Sequence, residues 1–90
     1  MKIRVRYRFT GEVQGVGFRF RAYHAANALG LTGWVCNEYD GSVSMEVQGG
    51  QAEIAALLQK LENSLYIRID HTDAQKLPPD PHEHSFEIRD

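Results

Sequence analysis

Residues 11–19 read Gly11-Glu12-Val13-Gln14-Gly15-Val16-Gly17-Phe18-Arg19, and they join an alternating segment to a segment with helical periodicity. Because glycine lacks a Cβ, a loop with three glycines can adopt positive φ angles and turn several backbone N–H groups inward. Such a loop suits an anion, and the helix that follows adds the positive end of its dipole. The guanidinium of Arg19 matches phosphate oxygens bidentately. We therefore interpret this stretch as a phosphate-binding loop.

The alternative is that Gly-x-x-x-Gly-x-Gly is only a flexible connection between a strand and a helix, because glycine is common in loops. The stretch matches neither of two common nucleotide-binding signatures. It lacks the Gly-Lys-Ser/Thr of a Walker loop and the Gly-x-Gly-x-x-Gly of a Rossmann fingerprint. Spacing alone leaves both interpretations open.

The composition predicts one globular domain over residues 1–90, with 42% hydrophobic and 24% charged residues. A formal net charge of -2 argues against a surface devoted to nucleic acid. The single cysteine excludes an internal disulfide framework and fits a reducing compartment. No signal peptide is recognisable, and no apolar run approaches the ~20 residues of a membrane span. We expect a cytoplasmic protein with no membrane or nucleic-acid partner.

Hydrophobic periodicity predicts the order strand, helix, strand, strand, helix, strand. Gly30 is placed to end the first helix, and the Asp-Gly sequence within residues 38–41 predicts a hairpin turn. The predicted elements are strands over 2–10, 32–37 and 42–48, helices over 18–29 and 51–62, a strand starting at Leu65, a proline-containing connection over 76–82, and a short last strand with Phe86 and Ile88.

The first strand alternates between an apolar face and an arginine face. Its apolar residues are Ile3, Val5, Tyr7 and Phe9, and its arginines are Arg4, Arg6 and Arg8. We expect these arginines to be solvated and to pair across strands with acidic residues such as Glu46 and Glu87.

Two further groups could suggest reactive chemistry. Cys36 is expected to be a small buried hydrophobe rather than a nucleophile, because lone strand cysteines are usually buried and no base lies nearby in sequence. His82 and His84 are expected to belong to a polar tail rather than to a metal pair. We therefore expect no metal site.

Helices on one face of an antiparallel sheet, in this order, define an α+β fold, the ferredoxin-like βαββαβ sandwich. We expect four to five antiparallel strands, depending on whether the proline segment divides the last one. The first and second strands of a right-handed βαβ unit run parallel, so their carboxyl ends meet at one edge. Asn37 should therefore lie beside the glycine loop, where it could hold a water molecule or merely cap the turn.

The chain resembles the acylphosphatase family in two motifs, Gly11-Glu12-Val13-Gln14-Gly15-Val16-Gly17-Phe18-Arg19 and Gly33-Trp34-Val35-Cys36-Asn37. The resemblance implies metal-independent hydrolysis of small acyl phosphates to a carboxylate and inorganic phosphate, without a cofactor. It implies that Arg19 and backbone N–H groups of Gln14, Gly15, Val16, Gly17 and Phe18 bind the phosphate, and that Asn37 orients the attacking water.

These motifs predict a free-standing cytoplasmic acylphosphatase, and a monomer is expected. One alternative is a non-catalytic ferredoxin-like module that binds phosphate or RNA, because Val16-Gly17-Phe18-Arg19-Phe20 faintly resembles an aromatic RNA-binding motif. Another is a non-catalytic module of a larger enzyme, such as the hydrogenase-maturation carbamoyltransferase. Glu12 occupies the variable position of the first motif, where its charge would oppose an anion unless it points into solvent.

Overall fold

The computed structural model describes residues 1–89 as five strands and two helices. The second strand and the second helix have the predicted bounds. In chain order the elements are β1 Ile3–Glu12, α1 Phe18–Ala28, β2 Thr32–Asn37, β3 Val43–Gly49, α2 Gln51–Glu62, β4 Arg68–Leu77 and β5 Phe86–Arg89.

The strands form a single sheet in the order β4-β1-β3-β2-β5. The pairs β1–β3, β1–β4 and β2–β3 are antiparallel, whereas β5 pairs in parallel with β2. This arrangement confirms the ferredoxin-like α+β fold. The predicted last strand is not one strand divided by prolines but two strands on opposite edges, which makes the sheet mixed.

The direction of β4 explains this arrangement. Because β4 is antiparallel to β1, its last residue, Leu77, lies opposite Arg4 near the start of β1. This is the end of the sheet, along the strand direction, at which β2 begins. Residues 78–85, which contain all three prolines, cross to that point, where the N–H of Gly33 donates to the carbonyl of Ser85 over 3.0 Å. The chain then continues as β5 along β2 in the same direction.

The bounds of β4 correct two predictions. Leu65 was expected to start the strand, but it is 94% exposed and lies before β4 begins at Arg68. Residues 76 and 77 were expected in the connection, but they remain paired with β1. The physical reason is that β1 is ten residues long and offers hydrogen-bonding partners to β4 as far as Arg4.

The core lies between the two helices and one face of the sheet. Alanines on α1 allow a close approach, and α2 contributes larger aliphatic side chains at helical spacing. The fully buried members are Phe9, Val35, Val43, Met45, Val47 and Phe86 from the sheet, Val13 from the loop, Phe18, Ala22 and Ala26 from α1, and Leu57 and Leu61 from α2.

The first helix ends as its sequence suggests. The N–H of Leu31 donates to the carbonyl of Ala26 over 2.9 Å, and the N–H of Gly30 donates to the carbonyl of Asn27 over 3.2 Å. With Gly30 at φ 71°, this is a Schellman motif, and it confirms the predicted end of α1. No helix within residues 1–89 is long and apolar enough to cross a bilayer.

Arg4 was predicted to be solvated, but it is 6% exposed. Its Nε donates to Glu46 over 3.0 Å, and its Nη1 and Nη2 donate to the two carboxylate oxygens of Glu83 over 2.7 and 3.1 Å. The open face is the sheet face that the helices do not cover. Residues 78–85 cover one end of it, so the guanidinium of Arg4 is buried between β1 and this connection. The acidic partners of the β1 arginines within the described chain are Glu46, Glu83 and Asp40, not Glu87.

Candidate active site

The loop after β1 adopts the conformation that its glycines permit. Gly15 and Gly17 have φ angles of 71° and 80°, in the left-handed region that other residues rarely occupy. Gly17 is the N-cap of α1, and no side chain there accepts a hydrogen bond from the first helical turn. The N-terminal end of α1, with no side-chain cap, and the positive end of the helix dipole therefore suit an anion.

The side chain of Gln14 fastens this loop to the hairpin between β2 and β3. Its Nε2 donates to the backbone carbonyls of Glu38 over 2.7 Å and Ser42 over 2.8 Å. Sequence reasoning considered only the backbone N–H of Gln14 and missed this contact. No local signal could have shown it, because the acceptors lie 24 and 28 residues away in sequence.

The hairpin is itself held by Asp40. Its Oδ1 accepts hydrogen bonds from the backbone N–H of Ser42 over 3.0 Å and from the Ser42 hydroxyl over 2.6 Å. These two bonds, with the nearby guanidinium of Arg8, lower the pKa of Asp40 to about 2. The carboxylate is therefore charged at neutral pH, and its contribution to stability fades only as pH falls from about 4 towards 2.

The sheet register brings Asn37 to the loop. Val43 of β3 pairs with Phe9 of β1 on one side and with Asn37, the last residue of β2, on the other. Phe9 and Asn37 thus lie at the same level of the sheet, three residues before β1 ends at Glu12. The expected meeting of the two strand ends is observed.

A cavity of about 340 Å³ lies where the loop, α1 and β2 meet. Arg19 and Asn37 both line it and are both half-buried. Gln14 and Val16 are not among the described residues that line it, although both were predicted to contribute backbone N–H groups. The lining residues are Val13, Gly15, Gly17, Phe18, Arg19, Phe20, Asn37 and Ile88.

Glu12 does not line this cavity. Its Oε1 accepts a hydrogen bond from Nη1 of Arg68 over 3.0 Å, in an exposed ion pair with β4. The preceding Gly11 has a φ of 128°, and the β1–β4 register shifts between Thr10 and Gly11. This bulge bends the strand end. The negative charge of Glu12 is thus paired outside the cavity.

Cys36 is half-buried rather than fully buried, which corrects its prediction as a buried hydrophobe. Its Sγ lies 3.7 Å from Oε2 of Glu38, and burial together with the Glu38 carboxylate raises the pKa of the thiol. A protonated thiol is a poor nucleophile. The surroundings of Cys36 therefore disfavour the thiolate form that a nucleophile needs.

His82 and His84 are exposed in the connection before β5. Across residues 1–89, no three or more histidine, cysteine or acidic side chains are grouped so that they could hold a metal ion. The segment that resembled an RNA-binding motif, residues 16–20, lies in the loop and the start of α1. Such a motif would need a central strand.

The fold and the cavity define a small α+β protein in which an arginine and an amide line one cavity beside a helix N-terminus. A family model described as Acylphosphatase matches residues 5–88. An acylphosphatase of Caldanaerobacter subterraneus subsp. tengcongensis is 40% identical over 78 residues, covering 86% of this chain and 87% of the relative. The chain belongs to the acylphosphatase family and is an acylphosphatase enzyme.

Solved structures agree with this assignment. A crystal structure of acylphosphatase from Bacillus subtilis matches with a TM-score of 0.88 and 27% identity, covering 97% of this chain and 98% of that one. A structure of T. kodakarensis HypF matches with a TM-score of 0.81 and 29% identity, but this chain covers only 12% of it. The same fold thus also occurs as a small part of a much longer protein.

Proposed function

We propose that the 340 Å³ cavity hydrolyses the carboxyl–phosphate anhydride of small acyl phosphates to a carboxylate and inorganic phosphate. The observation that supports this proposal is that Gly15 and Gly17, Arg19 and Asn37, from separate elements, line one cavity. Phosphoryl transfer to water needs mainly positioning and charge stabilisation, and these groups can supply both.

The phosphoryl group is bound by the fork of Arg19 and by backbone N–H groups between Gln14 and Phe18. Its transition state spreads negative charge over three oxygens, so several fixed donors stabilise it better than one. Gly17 at the N-cap leaves donors of the first helical turn available for this role. These groups supply the neutralising charge, and the proposed reaction uses no metal or cofactor.

Asn37 orients the attacking water, because its amide can both accept a hydrogen bond and donate one. The water oxygen forms a bond to phosphorus, the bond from phosphorus to the acyl oxygen breaks, and its electron pair leaves with the carboxylate. The proton from the water is carried away by the phosphate or the solvent. A carboxylic acid has a pKa near 4, so the leaving group needs no protonation by an enzyme acid.

Residues 1–90 are proposed to act as one monomeric domain in the cytoplasm, with no nucleic-acid or membrane partner. The net charge of -2 supports the absence of a nucleic-acid surface. The lone cysteine, which cannot form an internal disulfide, fits a reducing compartment.

The test is hydrolysis of benzoyl phosphate by the purified chain in EDTA. We expect chelator-resistant turnover, a fall in kcat/KM of about 10³-fold in Arg19→Ala, and no rescue in Arg19→Lys, because a point charge cannot replace the planar fork. Arg6→Ala is the control, since Arg6 pairs with Glu46 on the open sheet face and does not line the cavity.

Three results would contradict the proposal in different ways. A folded wild-type protein with no turnover would favour the non-catalytic phosphate-binding module. Loss of turnover in EDTA would show that a metal takes part. Near-normal turnover of Arg19→Lys would remove the bidentate role of the arginine.

A further inference from the structure

A second cavity, of about 520 Å³, adjoins the first. Gly17 and Phe20 line both cavities, so the second opens directly beside the proposed phosphate site. It extends along α1 towards the end of α2 and the segment before β4. We call this second cavity the acyl groove.

One face of α1 forms a wall of the acyl groove. Gly17, Phe20, Arg21, His24 and Ala28 line it, and their spacing of three and four residues places them along a single helix face. At 1.5 Å per residue, Arg21 lies about 6 Å along the helix axis from Gly17. A group bound beside Arg21 is therefore within reach of a phosphate at the loop.

Two cationic residues line the acyl groove. Arg21 and Lys60 line it, and no aspartate or glutamate of the described chain does. Nε of Arg21 donates to the backbone carbonyl of Lys60 over 2.7 Å, which ties the guanidinium to the last turn of α2. This bond uses one of five N–H donors, so the guanidinium can still bind an anion.

The same groove presents aromatic surface to solvent. Phe20 is 65% exposed and Tyr66 is 76% exposed. The ring of Phe20 packs edge-to-face on His24, with centroids 4.3 Å apart, which holds it in place over the helix. Exposed aromatic rings next to a polar site commonly contact the apolar part of a ligand.

We propose that the acyl groove binds the acyl part of the substrate and selects acyl phosphates that carry a second, distal anion, a carboxylate or a phosphate. The apolar body would lie on Phe20 and Tyr66, and the distal anion would pair with Arg21 and Lys60. This inference rests on the proposed function, because it presumes that the phosphoryl end of the substrate occupies the adjoining cavity.

The test compares benzoyl phosphate with 4-carboxybenzoyl phosphate and 4-(phosphonooxy)benzoyl phosphate, which differ only in the distal group. The measured quantity is the ratio of kcat/KM for each charged substrate to that for benzoyl phosphate. Intrinsic reactivity differs between the substrates but cancels when the ratio is compared between variants. The charged substrate with the larger variant effect identifies the distal group that the groove prefers.

We expect Arg21→Gln and Lys60→Gln each to lower the ratio by about 3- to 5-fold, the scale of a partly exposed ion pair. Lys76→Gln, which removes the same charge from exposed β4, should leave both the ratio and benzoyl phosphate hydrolysis unchanged. The wild-type ratio should also fall in high salt, because salt screens the pairing.

An active enzyme whose ratio is unchanged in both variants would overturn this inference and leave the proposed function standing. An enzyme inactive on all three substrates would remove the proposed function, and the inference with it. If Arg21→Gln does not fold because it loses the bond to α2, the exposed Lys60→Gln decides the question alone.

Discussion

At Asn37, a single amide at a strand end lies in the same cavity as Arg19, although the two residues belong to different elements. An amide in this place can position water or bind phosphate, and the two roles have different kinetic effects. A residue that acts on the attacking water should influence turnover and leave the affinity for the product phosphate almost unchanged.

Asn37→Ala should therefore lower kcat by about 10²-fold, within the range of a lost transition-state hydrogen bond. Inhibition by inorganic phosphate should stay within a factor of about 2, because Arg19 and the loop remain. Steady-state kinetics with phosphate as inhibitor measures both quantities. A large loss of phosphate inhibition would instead make Asn37 a binding residue.

Cys36 illustrates how a neighbour determines reactivity. Burial and the Glu38 carboxylate raise the pKa of its thiol. Glu38→Gln should lower that pKa, because it removes the negative charge that opposes thiolate formation, and should speed alkylation by iodoacetamide at pH 8. The pH dependence of the alkylation rate measures the change. Cys36→Ser should retain full hydrolysis, and an inactive serine variant would show that the thiol takes part.

At the scale of elements, the glycine loop depends on the β2–β3 hairpin. The amide of Gln14 bonds two hairpin carbonyls, while Asp40 and Ser42 hold the turn that presents them. The loop conformation is therefore set jointly by left-handed glycines and by a contact with a distant turn. Gln14 is a positioning residue, since its side chain does not line the cavity.

Gln14→Leu should lower the free energy of unfolding by about 1–3 kcal/mol, because two hydrogen bonds are lost. It should also weaken inhibition by phosphate, since the loop is then no longer tied to the hairpin. Urea denaturation and phosphate inhibition measure the two effects. Gln14→Glu, of the same length but unable to donate, should behave similarly. A stability loss with unchanged phosphate inhibition would make the contact purely structural.

At the scale of the whole molecule, the buried ion pairs of Arg4 and the candidate active site lie at opposite ends of the sheet. Arg4 joins β1 to residues 78–85 through Glu83 and to β3 through Glu46. The cavity lies at the carboxyl ends of β1 and β2. The hydrogen bonds that the Arg4 guanidinium donates to Glu83 and, to a smaller extent, to Glu46 raise its pKa, although its burial acts in the opposite direction.

Arg4→Ala should destabilise the fold by about 3–5 kcal/mol, because it leaves the mostly buried carboxylate of Glu83 without its cation and leaves Glu46 with Arg6 alone. Arg8→Ala, which breaks an exposed pair with Asp40, should cost no more than about 1 kcal/mol. Denaturant unfolding at neutral pH compares the two. Equal costs would show that burial of the Arg4 network adds nothing to stability.

Much of the molecule could be predicted from local patterns. The bounds of β2 and α2, the Schellman end at Gly30 and the hairpin at residues 38–41 follow from periodicity and turn chemistry. The meeting of the loop with Asn37 followed from the handedness of one βαβ unit. These features depend on residues close in sequence or on a general topological rule.

Contacts between segments that are distant in sequence could not be predicted from local patterns. The sequence could not show that β4 and β5 occupy opposite edges, because prolines only end a strand and do not select its partner. The burial of Arg4 likewise depends on where residues 78–85 cross the sheet.

The acyl groove belongs to the same class of feature. Arg21 lies on one helix and Lys60 on another, 39 residues apart in sequence, and packing of α1 against α2 places them together. The sequence by itself determined most of the elements, the glycine loop and its position beside Asn37, since these depend on short-range chemistry and a general topological rule. Only the tertiary structure decided which strands form the edges of the sheet and which residues form the groove. Both depend on contacts between segments distant in sequence, and the local pattern of one segment does not show which other segment it contacts.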